Sequence, residues 1–96
     1  MDLPNPITLD HIEAITRDAY YYQPYGMTLT VCMVRLPNGF VVTGTSACAD
    51  PREFDAAVGK QLAMQDARRQ VWTLEGYRLR HQLWLDELRA AEPKEG

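Results

Sequence analysis

The stretch Ser46-Ala47-Cys48-Ala49-Asp50-Pro51-Arg52-Glu53 puts a thiol just ahead of a helix-start signature. A cysteine at a helix N-terminus is favoured as the thiolate, the form that attacks an electrophile or ligates a metal. A nucleophile also needs a base beside it. The chain has two histidines, His11 and His81, and no local motif ties either to Cys48. Cys48 therefore reads as a small residue packed at a strand–helix junction. Two cysteines 16 positions apart and two distant histidines match no zinc-ligand spacing. The sequence carries no glycine-rich phosphate loop, paired-carboxylate motif or triad signature. The expectation is a protein with no catalytic residue, metal or cofactor.

The residues suited to holding a ligand are aromatic and cationic. Tyr20-Tyr21-Tyr22 and Tyr25 form a cluster. Three consecutive tyrosines on a helix cannot all face a core, so one is left to stack on a nucleobase or anchor a protein contact. Arg68 and Trp72 stand one helical turn apart, and a guanidinium beside an indole suits a phosphate and a base. Arg52 at the helix start and Lys60 two turns on add positive charge. Ser46 lies where small residues leave room. The candidate ligand set is Tyr22, Tyr25, Ser46, Arg52, Lys60, Arg68 and Trp72. Packing is the plain alternative for each, such as a surface arginine stacked on a half-buried tryptophan.

These side chains need elements to hold them. Thr8 can cap a helix over about residues 9–21, with Leu9, Ile12, Ile15 and Ala19 on one face and Pro24 and Gly26 as its stop. The residues before it read as irregular. TLTVCMVRL and FVVTGTSA flank Pro37-Asn38-Gly39, a three-residue hairpin turn with glycine in the left-handed position. That register sets Leu36 opposite Phe40, Val34 opposite Val42, Cys32 opposite Gly44 and Thr30 opposite Ser46. Gly44 then leaves room for a helix. Cys32 and Cys48 stand about 13 Å apart along the sheet, too far for a disulfide.

Asp50, Pro51 and Glu53 spell an N-cap, a first helical residue and a capping box. No stop follows before Pro93. A straight helix of that length would be about 60 Å long, more than a chain this size can pack against. The sequence predicts a break or bend at Gly59 or around Trp72–Gly76. Phe54, Val58, Leu62, Ala67, Val71 and Leu74 mark its core face. The fold expected is α+β: an N-terminal helix, a β-hairpin and a long C-terminal helix. Residues 1–92 form one domain and 93–96 a disordered tail.

At 96 residues, such a chain buries about 60–65% of its unfolded surface, so a homo-oligomer is expected to cover more. The net charge is −3, and residues 52–92 carry seven basic and seven acidic side chains. No basic cluster supplies a duplex nucleic-acid surface. No apolar run approaches the ~20 residues of a membrane span. The start of the sequence lacks a secretory pattern, and with two cysteines that points to a reducing compartment.

Asn38-Gly39-Phe40, Ser46 to Pro51, Phe54-Asp55, Gly59 and Trp72-x-Leu74-Glu75-Gly76-Tyr77 together resemble a family of small phage proteins. That family is named for product forty-nine of phage N-four and gene sixty-six of phage Sf-six. The resemblance covers roughly residues 27–83. It implies a phage origin and action in the bacterial host cytoplasm, and no established catalytic residues. Two functions are compatible with these features. One is a non-enzymatic sponge that sequesters a cyclic nucleotide immune signal at subunit interfaces. The other is an effector whose acidic, tyrosine-bearing first helix docks on a host protein.

Overall fold

The structure, a computed structural model, describes residues 7–91. The tail expected at 93–96 and most of the irregular lead-in lie outside the described residues. The elements are α1 (Leu9–Ile15), β1 (Ala19–Tyr22), β2 (Leu29–Arg35), β3 (Val41–Ala47), a 3-10 turn (Pro51–Glu53) and α2 (Ala56–Ala91). The three strands form one antiparallel sheet in the order β1-β2-β3. The class is α+β, as expected from the sequence.

Thr8 caps α1 by accepting the His11 N–H at 3.1 Å. The helix ends at Ile15, six residues before the expected stop. There the Thr16 hydroxyl donates back to the Ile12 carbonyl at 2.8 Å, and its N–H turns to Glu13. Side-chain bonding of this kind competes with the helical ladder. The residues that follow form a strand, which corrects the expected helix end. Tyrosine favours a pleated surface, and β2 offers a free edge. The Arg35 N–H donates to the Asp18 carbonyl at 2.9 Å, and the Arg35–Asp18 ion pair at 2.7 Å pins the strand's start.

The hairpin keeps its predicted register. Val34 faces Val42, Cys32 faces Gly44 and Thr30 faces Ser46. Leu36 N–H donates to the Phe40 carbonyl at 2.8 Å, and Gly39 takes φ +90°.

The start of α2 differs from the reading above. Asp50 caps only the 3-10 turn, accepting the Arg52 N–H at 3.0 Å. Phe54 is extended, and Asp55 begins the long helix by accepting from Ala57 N–H at 2.9 Å and Val58 N–H at 3.2 Å. The helix then runs 36 residues without a break through Gly59 and Gly76. No break forms at Gly59 because its bare backbone is used for contact. A Cβ there would stand 2.5 Å from Thr30 Oγ1.

The core comprises Ile12, Cys32, Val34, Val42, Ala63, Ala67 and Val71. α2 buries Gly59, Ala63, Ala67 and Val71, one residue per turn. Gly44 receives it. A Cβ at Gly44 would lie 2.2 Å from the Ala63 carbonyl oxygen and 2.4 Å from the Ala67 nitrogen. Val58, Leu62 and Leu74, expected to face the core, are largely exposed. An approach this close admits only small side chains. Beyond Arg78, the described hydrogen bonds and ion pairs of α2 stay within the helix. The molecule is therefore long, 72 × 21 × 20 Å, with a radius of gyration of 18.7 Å against about 12.5 Å for a compact chain of this length.

Candidate functional site

α2 packs on β3 and β2, and β1 lies at the far edge of the sheet from it. Side chains alternate across a sheet. Tyr21, paired with Cys32, therefore faces the helix side, while Tyr20 and Tyr22 face away. Between Tyr21 and the flank of α2 lies an open groove of 590 Å³ lined by Tyr21, Lys60, Gln61, Met64, Gln65 and Arg68. Lys60, Met64 and Arg68 recur every four residues and so form one stripe.

The Lys60 ammonium stands 5.8 Å from the centroid of the Tyr21 ring, within cation–π range. The Arg68 Nε donates to Thr16 Oγ1 at 3.1 Å, which orients the guanidinium along the groove. Burial raises the Tyr21 phenol above its ordinary pKa, with Cys32 adding to the effect and Arg68 opposing it. Burial likewise raises the Cys32 thiol. Both groups are neutral at pH 7, and among the described residues no carboxylate lines the groove. Lys60 and Arg68 thus give the groove a positive charge. Lysine and arginine beside an aromatic face provide donors for a phosphate and a surface for a base.

Of the residues singled out from the sequence, Lys60 and Arg68 come together here. Tyr22 lies on the opposite face of the sheet, and Tyr25 stands fully exposed in the turn after β1. Ser46 lines a separate 140 Å³ cleft with Thr28, Cys48, Phe54, Val58 and Leu62. Arg52 points into solvent and is held by Asp50 at 3.0 Å. Trp72 is on α2 but does not line the groove. Of Arg52, Lys60 and Arg68 only the last two meet, because Arg52 belongs to the 3-10 turn and not to α2. Tyr21, Gln61, Met64 and Gln65 were missed. Tyr21 is separated from Tyr22 only by strand alternation, which a helical reading of the cluster hides.

A second, mainly apolar cavity of 410 Å³ lies at the hairpin tip between Ile15, Leu36, Phe40 and Leu74, with Glu75 and Arg78 at its rim. Glu75 accepts from His11 Nε2 at 2.8 Å and from Arg78. Burial pushes its carboxyl up, but the Arg78 and His11 hydrogen bonds outweigh that and hold it below its ordinary value. Cys48 has no histidine beside it. Its thiol donates to the Asp50 carbonyl at 3.2 Å. His81 sits between Tyr77 and Trp84, with centroids 5.9 and 5.3 Å away.

A family model, the phage protein (N4 Gp49/phage Sf6 gene 66) family, matches residues 7–83. The chain belongs to this family. The match begins at residue 7, so α1 and β1 fall inside it, as does every residue of the groove. The resemblance read from the sequence began only near residue 27. No curated protein and no solved structure matches the chain. Among the described residues, no helix is long and apolar enough to cross a membrane.

Proposed function

We propose that this phage protein is a non-enzymatic binding protein of the host cytoplasm that assembles with itself and holds a small anionic nucleotide. A cyclic nucleotide signal of bacterial immunity is the ligand class. The observation that carries the reading is the groove: Lys60 over the Tyr21 ring, with Arg68 on the same wall and no carboxylate among the described lining residues. Its volume lies in the range of small-molecule sites. The absence of catalysis is supported by Cys48 and the histidines, each of which is engaged elsewhere.

Self-association is supported by surface. The chain exposes 7346 Å², against about 5,600 Å² for a compact chain of 11.0 kDa. On the outer part of α2, Tyr77, Trp84, Leu85 and Leu88 are exposed. A helix with one apolar stripe and no partner is stabilised by packing on another. Calorimetry with a panel of cyclic dinucleotides tests the ligand reading. Heat should appear for at least one member, and the bound molecule should be recovered unchanged after denaturation. Silence across the panel sinks it.

A second reading, a host-protein effector, is favoured by the outer sheet face, where Tyr20 and Tyr22 are 55% and 59% exposed beside Val31 and Met33. Capture of one host protein at fixed stoichiometry, lost on joint Tyr20→Ser and Tyr22→Ser substitution, would decide for it.

A further inference from the structure

The two edges of the sheet are finished differently. On β3, α2 fills the outward backbone groups. The Asp66 carboxylate accepts the Thr45 N–H at 2.9 Å, and the Gln70 amide donates to the Thr43 carbonyl at 2.8 Å. On β1, no described hydrogen bond does the same. The Arg35 N–H to Asp18 carbonyl bond sets the phase of the ladder. By antiparallel alternation, Tyr20 and Tyr22 then exchange bonds with Met33 and Val31. Ala19 and Tyr21 turn their N–H and C=O groups away from the sheet. No lysine, proline or acidic residue within Ala19–Tyr22 guards this edge, although such residues are the usual protection.

We infer that β1 pairs antiparallel with β1 of a second copy, making one continuous six-stranded sheet across a two-fold axis. A second copy fits because two-fold pairing uses the same four backbone groups on both sides. The surface also fits. The surplus of about 1,700 Å² is roughly twice the ~800 Å² that one partner gives to a standard interface. That leaves room for a contact at this edge besides one along α2.

In such a sheet both α2 helices lie on the same face. Each sits over β2 and β3, so their axes stand about four strand spacings apart, roughly 19 Å. Subtracting one helix diameter leaves a trench about 9 Å wide. Its floor is Tyr21 of both copies. Its walls carry Lys60 and Arg68 of both. This part rests on the nucleotide reading above: two half-grooves become one site, and an anion in it offsets the repulsion of four like charges. A cyclic dinucleotide, with two phosphates related by near two-fold symmetry, matches that trench.

Hydrogen exchange of the whole chain tests the pairing without a ligand. The Ala19 and Tyr21 amides should be protected at high protein concentration and exchange freely on dilution, while the Thr45 amide stays protected throughout. Ala19→Pro removes one edge donor and leaves Tyr21, Lys60 and Arg68 in place. It should lower the sedimenting mass with the circular dichroism unchanged. Ala19 and Tyr21 amides that exchange freely at every concentration overturn the pairing, whether or not Ala19→Pro folds. For the shared trench the probe is cyclic di-GMP. One molecule per two chains supports it, and one per chain overturns the sharing. No binding together with protected edge amides overturns the nucleotide reading alone and leaves the strand pairing standing.

Discussion

Four residues decide most of what can be measured on this chain. Gly44 is the notch into which α2 settles, and a methyl there meets backbone atoms of Ala63 and Ala67. Backbone cannot rotate out of the way as a side chain can. Gly44→Ala should therefore cost about 3 kcal/mol, the upper part of the overpacking range, read as a lowered midpoint in urea. Lys60 and Arg68 are the groove's cations. Lys60→Ala and Arg68→Ala should each weaken cyclic dinucleotide binding roughly 10- to 100-fold, as expected for loss of a charge-assisted hydrogen bond, with the melting temperature little changed. Glu75 supplies a pH test. Its folded value lies below its ordinary 4.5, so its stabilisation is complete above that pH and is lost as pH falls through the lowered value. Glu75→Gln should flatten this acid limb. An unaltered slope below pH 4.5 would show that the His11–Glu75–Arg78 cluster contributes no such term.

The elements separate what local chemistry decides from what only tertiary pairing decides. The hairpin was legible because Pro37-Asn38-Gly39 fixes the turn and β-branched runs flank it. Its register followed, and with it the place where Gly44 admits a helix. β1 was not legible. Leu9, Ile12, Ile15 and Ala19 keep a helical period, and what ends α1 early is the Thr16 hydroxyl together with a free edge on β2. That edge exists only once β2 is in place. The same displacement explains the site. Lys60 and Arg68 were readable as one helical stripe, whereas Tyr21 and Tyr22 exchange roles when a helix end becomes a strand.

The cap of α2 misled for a different reason. Asp50-Pro51-Arg52-Glu53 is a start signal, but it starts a single 3-10 turn, and Asp55 takes over two residues beyond it. Asp55→Ala should therefore destabilise the protein by about 1 kcal/mol. Asp50→Ala should cost less, because Asp50 satisfies only the exposed turn. Paired urea titrations rank the two. The reverse order would mean that the 3-10 turn, and not Asp55, anchors the helix.

At the scale of the whole molecule, the excess of exposed surface was visible in the length of the helical run after Pro51, which no core of this size could cover. What the sequence did not reveal is that α2 touches the sheet through its smallest residues and leaves its largest outside. Removing residues 81–91 should keep the core, since Val71 is its last member. The truncated chain should melt as a folded unit at high dilution but sediment with fewer chains per particle than the full chain. Equal subunit numbers for the two would show that the outer part of α2 takes no part in assembly.

The Gly44 notch also aims a rod. The contact from Gly59 to Val71 spans about 18 Å of helix, and Ala91 lies about 30 Å past its end. A methyl under Ala63 and Ala67 makes the middle of that contact a pivot, and a tilt of roughly 3° about it swings Ala91, about 39 Å away, by about 2 Å, enough to spoil register with a neighbour. A single methyl on a strand would thus act as a fulcrum error, registered far from the sheet where no mutated atom sits.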